Sequence, residues 1–141
     1  MGKFEFSDRS KKALKSCHKD LQKIARSALR KSNIDFAIIS GYRGEEEQNE
    51  LFANGFSKLK FPASKHNEFP SQAFDFAPYV DGKMIFDDTK YYYYIAGIIQ
   101  AAAEELLYDI RWGGNWDSDA TFSDQRFNDL GHIELKSEHY K

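Results

Sequence analysis

The chain has 141 residues, 41% of them hydrophobic and 30% charged, which suits one globular domain with a real but modest core. Its 20 Lys and Arg against 22 Asp and Glu leave a formal net charge of -2, which excludes a strongly basic nucleic-acid-binding chain. A single cysteine, Cys17, excludes an internal disulfide framework, no stretch is long enough to span a membrane, and Met1 to Ser7 carry no apolar run of signal-peptide kind.

The first predicted helix starts at Ser7 or Asp8 and runs to about Arg30. Leu14, Cys17, Leu21, Ile24, Ala25 and Ala28 recur along it at helical spacing, opposite Lys and Arg. Its basic face reads as solvated surface. His18 beside Cys17 reads as structural, because nothing nearby completes a metal set. Residues 35–40 read as a buried strand. Gly41-Tyr42-Arg43-Gly44 then turns into a polar helix from Glu45 to about Ala53. Arg43 has two readings. One is a surface ion pair with Glu46 or Glu47, worth little. The other is an anchor for a substrate carboxylate, which a planar guanidinium binds with two hydrogen bonds.

After a loop over residues 56–63 come Ser64-Lys65-His66 and the apolar run Ala73-Phe74-Asp75-Phe76-Ala77. Asp75 is a carboxylate entering a core, costly unless it is paired or bound to metal. Asp81-Gly82 marks a hairpin into a short strand around Met84-Ile85-Phe86. Asp87, Asp88 or Thr89 caps a long helix to about Leu107, with Tyr92, Ile95, Ile99, Ala102 and Leu106 as its buried stripe. The tyrosines from 91 to 94 read as core and rim. Ile110-Arg111-Trp112 is a short strand, residues 118–128 are polar and irregular, and His132 to Leu135 form a last strand before a solvated tail with His139. Without repeats or a linker, residues 1–141 read as one domain.

His66, Asp75 and His132 come from distant segments and suffice as protein ligands for a catalytic zinc, which keeps its fourth position for water. Asp129 then lies close without being needed as a ligand. A free carboxylate there can take a proton from water activated by the metal and return it to a leaving amine. Glu134 is the rival base, since on an alternating strand it shares a face with His132; Asp129 is favoured. Trp112 and Trp116 read either as cleft-lining or as core aromatics.

In order, Ser40-Gly41-Tyr42-Arg43 with Gln48, Ser64-Lys65-His66, Ala73-Phe74-Asp75 and Asp129-Leu130-Gly131-His132-Ile133-Glu134 resemble the LAS-type zinc peptidases. That group includes D-Ala-D-Ala carboxypeptidases and dipeptidases, and the likeness is closest to phage endolysins that are L-alanyl-D-glutamate endopeptidases. It covers nearly the whole chain. The resemblance implies a small α+β domain of LAS/hedgehog-like kind, with an antiparallel sheet flanked by helices. It implies Zn2+ on His66, Asp75 and His132, and Asp129 as catalytic acid/base. Arg43 would bind substrate or polarise the scissile carbonyl, with Gln48 and Ser64 in support; apart from the resemblance, the cleft-lining reading of Trp112 makes it a candidate substrate contact. One departure is the loop through Asn67-Glu68-Phe69-Pro70-Ser71, longer than the family's and without its glycine. It keeps the ligand types and bears on substrate detail.

The implied function is hydrolysis of a peptide bond in bacterial peptidoglycan, at L-Ala-D-Glu, by a monomer without a separate wall-binding domain, nucleic-acid partner or membrane insertion. Such a protein is made in the host cytoplasm and reaches the wall after holin-type release or lysis. A D,D-carboxypeptidase or D-Ala-D-Ala dipeptidase would use the same site. A non-catalytic, zinc-containing phage structural or binding module is a third reading, against which the free base Asp129 speaks.

Overall fold

The structure, a computed structural model, describes residues 3–115 and 129–136; Trp116, the run 118–128 and His139 lie outside them. The single long N-terminal helix expected from periodicity is two helices, α1 (Asp8–Lys15) and α2 (Lys19–Lys31). Between them the backbone leaves the helix to pair with residue 71. The His18 N–H donates to the Ser71 carbonyl and the Ser71 N–H to the Ser16 carbonyl, both at 2.8 Å. A non-local backbone pairing thus overrides the local periodicity. The apolar stripe nonetheless stays in phase, and Leu14, Cys17, Leu21 and Ile24 are all buried. Ser7 caps α1, and His18 caps α2 by accepting from the Asp20 N–H through Nδ1 at 3.1 Å. Both Cys17 and His18 are structural, and burial pushes the Cys17 thiol up to about 12.

Strand β1 (Asp35–Ser40) leads into α3 (Glu45–Ala53), and β2 (Ala73–Val80) runs antiparallel to β1. Asp81 and Gly82, at φ 53° and 79°, make the predicted hairpin turn into β3 (Lys83–Met84). That strand is shorter than expected: the Ile85 N–H still donates to the Pro78 carbonyl at 2.8 Å, but Pro78 has no N–H to return the bond. Helix α4 (Thr89–Glu105) follows, capped by Asp88, and then β4 (Ile110–Trp112) and β5 (His132–Leu135). The sheet order is β1-β2-β5-β4, with β3 on β2, and every pairing is antiparallel. This is the α+β architecture expected, a small antiparallel sheet with helices against it.

One face of the sheet is the core. Phe36, Phe74, Phe76, Ile133 and Leu135 point into it, covered by α1, α2 and α4, the last burying Tyr92, Ile95 and Ile99. Leu106, expected in that stripe, is only partly buried. Phe6, Phe36, Phe76 and Tyr92 form a continuous row of rings, with centroids 5.6 to 6.0 Å apart. Each such large side chain stabilises the fold by roughly 1.5–3 kcal/mol through burial. No described helix is long and apolar enough to cross a membrane.

Candidate metal centre and cleft

Strand alternation sends the residues between those core positions to the opposite face. On β2, Asp75 stands between the small Ala73 and Ala77; on β5, His132 and Glu134 flank Ile133. The antiparallel register sets Asp75 directly opposite His132, and Glu134 opposite both Ala73 and Arg111. On the other side of β2, a register shift between Ile38 and Ser40 brings Ser40 opposite Asp75. The open face therefore carries the row Ser40, Asp75, His132 and a second row Ala73, Glu134, Arg111.

The third ligand candidate comes from the 3-10 turn Lys65–Asn67, which Ser64 caps. Ser64 Oγ accepts from the His66 N–H at 3.2 Å, and Asn67 Oδ1 accepts from the Ser64 N–H at 3.0 Å. The turn is sewn to the segment after β1, with Arg43 N–H donating to the His66 carbonyl at 2.8 Å and Asn67 Nδ2 to the Arg43 carbonyl at 3.1 Å. The long loop between His66 and Asp75 folds outward, where Phe69 packs edge-on against Tyr42.

His66 Nε2, His132 Nδ1 and Asp75 Oδ1 form a nearly equilateral triangle with sides of 3.2 to 3.3 Å. The far ring nitrogens are committed elsewhere. His66 Nδ1 donates to the Gly41 carbonyl at 2.7 Å, and His132 Nε2 donates to Glu134 Oε1 at 2.8 Å. Both imidazoles thus turn an acceptor lone pair toward the carboxylate, and three such acceptors repel unless a cation lies among them. The cluster can hold a metal ion. In the metal-free protein a proton takes that part. Burial would lower the His132 pKa, but hydrogen bonds to Asp75 and Glu134 lift it to about 9. Burial would likewise raise Asp75, yet His66 and His132 outweigh it and hold that carboxyl well below its ordinary range.

Around the triangle a further layer fixes the ligands. Arg43 Nη2 donates to Asp75 Oδ2 at 2.6 Å, while its Nε and Nη1 reach Ser40 Oγ and Gln48 Oε1, each at 3.2 Å. Arg43 is therefore partnered by the candidate ligand carboxylate and lines the cleft as well. Gln48 is fully buried, its amide shared among Arg43, Asn67, Ser57 and Leu59. Ser64 lines the cleft wall. Trp112 is in the core, its Nε1 donating to the Leu130 carbonyl at 2.7 Å and its ring edge-on to Tyr93. It lies away from the cleft, so of its two readings the core aromatic describes it.

Asp129 Oδ2 is 4.0 Å from His132 Nδ1, and the side chain is 42% exposed. It sits beside the triangle without belonging to it. Partial burial and the nearby Asp75 charge raise its pKa. Gly113 holds it there: the Asp129 N–H donates to the Gly113 carbonyl at 3.1 Å, and the Gly113 N–H donates to the His132 carbonyl at 2.8 Å. A Cβ on Gly113 would collide with the Asp129 carbonyl. Glu134, the rival base, is fully engaged. Its Oε1 binds His132, its Oε2 accepts from Arg111 at 2.8 Å, and Lys65 Nζ lies 3.6 Å from that same oxygen. Burial would raise Glu134, but His132, Arg111 and Lys65 bring it down to about 2.

Sequence reasoning passed over Lys65, Arg111 and the Gly41 carbonyl. The two cations look like ordinary surface charge until the register brings them onto one carboxylate. The centre opens into a cleft of about 320 Å³, whose wall includes Lys58, Lys65 and Arg111, and Asp129 also borders a second hollow of about 390 Å³ beside Phe86 and Tyr92.

Residues 1–136 match a protein family described as phage L-alanyl-D-glutamate peptidase. The chain is 36% identical over 135 residues to the L-alanyl-D-glutamate peptidase of Escherichia phage T5, a match spanning 94% of this chain and 98% of that protein. It is similar in structure to the Serratia marcescens L-Ala D-Glu endopeptidase ChiX, with a TM-score of 0.80 and 27% identity, over 98% of this chain and 95% of that one.

Proposed function

Because the chain belongs to the phage L-alanyl-D-glutamate peptidase family, we propose that it is a zinc hydrolase of bacterial peptidoglycan that cuts the amide between L-alanine and D-glutamate. The observation that carries the proposal is the triangle of His66, Asp75 and His132. Its 3.2 to 3.3 Å sides agree with the edge of a tetrahedron, about 3.3 Å, whose corners lie about 2.0–2.1 Å from zinc. Two imidazoles with one carboxylate suit zinc better than magnesium or calcium, which prefer oxygen shells. When bound, zinc supplies a Lewis acid that polarises the scissile carbonyl and acidifies water.

The remaining steps belong to side chains. Asp129 takes a proton from the attacking water as its oxygen bonds to the alanyl carbonyl carbon. It then delivers the proton to the glutamate nitrogen as the C–N bond breaks. Its raised pKa suits the second half of that cycle, and Glu134, tied to His132 and Arg111, is left to orient the ligand. Arg43 holds Asp75 and brings positive charge to the cleft where the oxyanion develops. Gln48 and Ser64 act behind it, one orienting Arg43 and the other the turn that bears His66. Trp112 contributes through its hold on Leu130, next to Asp129. In this reading the protein works as a monomer, made in the host cytoplasm and meeting the wall after holin-type release or lysis.

Digestion of purified muropeptides by the zinc-loaded protein, followed by mass spectrometry, tests the assignment. Fragments with a new D-glutamate amino terminus are expected. Release of free D-alanine instead would establish the D,D-peptidase reading, and no products at any zinc level would leave a binding module.

A further inference from the structure

Charge is divided unevenly along the chain. Residues 1–31 hold ten Lys and Arg against three Asp and Glu, whereas the rest of the chain holds ten against nineteen. The near-neutral total therefore conceals a basic pair of helices on an acidic body. All ten of those cations are exposed. Two are engaged, Lys3 with Asn33 Oδ1 at 2.8 Å and Lys31 with Glu105 at 3.0 Å. The other eight have no ion-pair partner among the described residues. Lys11 and Lys15 on α1, and Lys19 with Lys23 and Arg26 with Arg30 on α2, stand four residues apart. At that spacing like charges repel along a helix, and an anion from outside the chain relieves the repulsion.

Placement gives this charge a direction. Helices α1 and α2 cover the core face of the sheet, and the His66, Asp75, His132 triangle opens on the other face. Lys11, Lys15, Arg26 and Arg30 ring a hollow of about 590 Å³ whose floor includes Phe6 and Leu29 and whose one acid is Glu5. Both floor residues are buried, and among the described residues no exposed large apolar side chain belongs to α1 or α2. The face therefore has nothing to drive into a hydrocarbon layer, and it meets a partner through charge. A second copy of the same face would repel it. Its cations spread over two helices, about 12 and 20 Å long at 1.5 Å per residue, a patch broad enough to lie on a planar surface. Clusters of four to eight Lys and Arg in such an arrangement bind anionic lipid headgroups.

We infer that the α1–α2 face adsorbs the protein to an anionic phospholipid bilayer, without insertion, and so turns the cleft away from the membrane. The acidic remainder of the chain enforces the same orientation, because the surface that attracts the helices repels it. What the orientation achieves rests on the peptidoglycan reading above: the wall overlies the cytoplasmic membrane, so an enzyme held by its back presents its cleft to substrate. Adsorption itself rests only on charge and fold. It is a short-range attraction, screened beyond a Debye length of about 8 Å at physiological salt.

Cosedimentation with vesicles tests the inference. Wild-type protein is expected to bind vesicles of equal parts phosphatidylglycerol and phosphatidylethanolamine at least about tenfold more tightly than vesicles of phosphatidylcholine alone, and to leave them at high salt. Lys15→Gln/Arg26→Gln/Arg30→Gln, at exposed helical positions that accept glutamine, should lose roughly 100-fold of that affinity. The same variant should cleave soluble muropeptides at the wild-type rate, since its substitutions lie across the sheet from the cleft. Lys60→Gln/Lys83→Gln/Lys90→Gln removes as much charge from the acidic body and should keep the affinity. An equal loss in both triple variants would overturn the inference, because net charge alone would then govern binding. Equal binding to neutral and anionic vesicles, or binding to neither, would overturn it too. Duplex DNA that displaced the protein from vesicles at equal phosphate concentration would replace it with a nucleic-acid face. Vesicle binding without cleavage of any muropeptide would leave adsorption standing and remove the peptidase reading alone.

Discussion

Each residue of the ligand triangle is held on two sides, and that separates binding from chemistry. In the proposed reading, removing His66 or Asp75 takes a donor from the metal. His66→Ala and Asp75→Ala are therefore expected to lose zinc and all wall hydrolysis while keeping their fold, as read by metal analysis, turbidity and circular dichroism. Asp129 is not among the donors, so Asp129→Asn should keep its zinc and lose roughly 10²- to 10⁴-fold in kcat. Zinc loss in Asp129→Asn would remove it from the acid/base role and make it a ligand. His132 adds a pH dependence to the metal-free protein. Its folded pKa of about 9 exceeds its ordinary 6.5, so the stability from its ion pairs is fully present below 6.5 and is lost as pH rises through 9. The amount is on the order of 3 kcal/mol. Melting curves in chelator should show a lower Tm at pH 9.5 than at pH 6.5, and zinc should abolish the difference by taking the proton's place.

Among the elements, the two glycines at strand ends do the positioning. Gly41 ends β1, where a Cβ would strike the Ala13 carbonyl and Ser16 Oγ, and its own carbonyl orients His66. Gly113 ends β4 against the Asp129 backbone. Gly113→Ala is expected to push Asp129 out of reach of the reacting atoms, lowering kcat at least tenfold while zinc content stays at wild-type level. Parallel metal analysis and kinetics on that variant check it. The break between α1 and α2 follows the same logic, since the strand-like contact of Cys17 with Ser71 anchors the start of β2 and hence Asp75. Helix propensity favoured a continuous helix, but two backbone hydrogen bonds to a distant residue outweighed it.

At the scale of the whole molecule, a metal would join a turn at residue 66 to strands at residues 75 and 132, adding to the hydrogen bonds that already run from Arg43 to His66 and Asp75 and from Lys65 to Leu135. A ligand that binds the folded state alone stabilises it by RT ln(1 + [L]/Kd), about 4 kcal/mol at a thousandfold excess over Kd. Chelation is therefore expected to lower Tm by several degrees and to stop wall lysis, with both recovering on added zinc. An unchanged Tm under complete metal removal would mean that the triangle binds no structural cation.

Much of this was legible in the chain itself. Strand periods, caps and turn residues are local, so the α+β class, β1, α3, the Asp81-Gly82 hairpin and α4 follow from neighbouring residues. The four motifs, taken in order, were enough to identify the peptidase family that the full-length match bears out. His66, Asp75 and His132 stood out because histidine and a carboxylate in apolar surroundings need a partner or an ion. What the chain could not disclose was non-local pairing. The pairing of β4 with β5 brings Arg111 onto Glu134 at the cleft, and the pairing of β1 with β2 brings Arg43 onto Asp75 with Gln48 behind it. The contacts of Arg111 with Glu134 and of Arg43 with Asp75 join residues 23 and 32 apart in sequence, and no periodicity within a single segment encodes them.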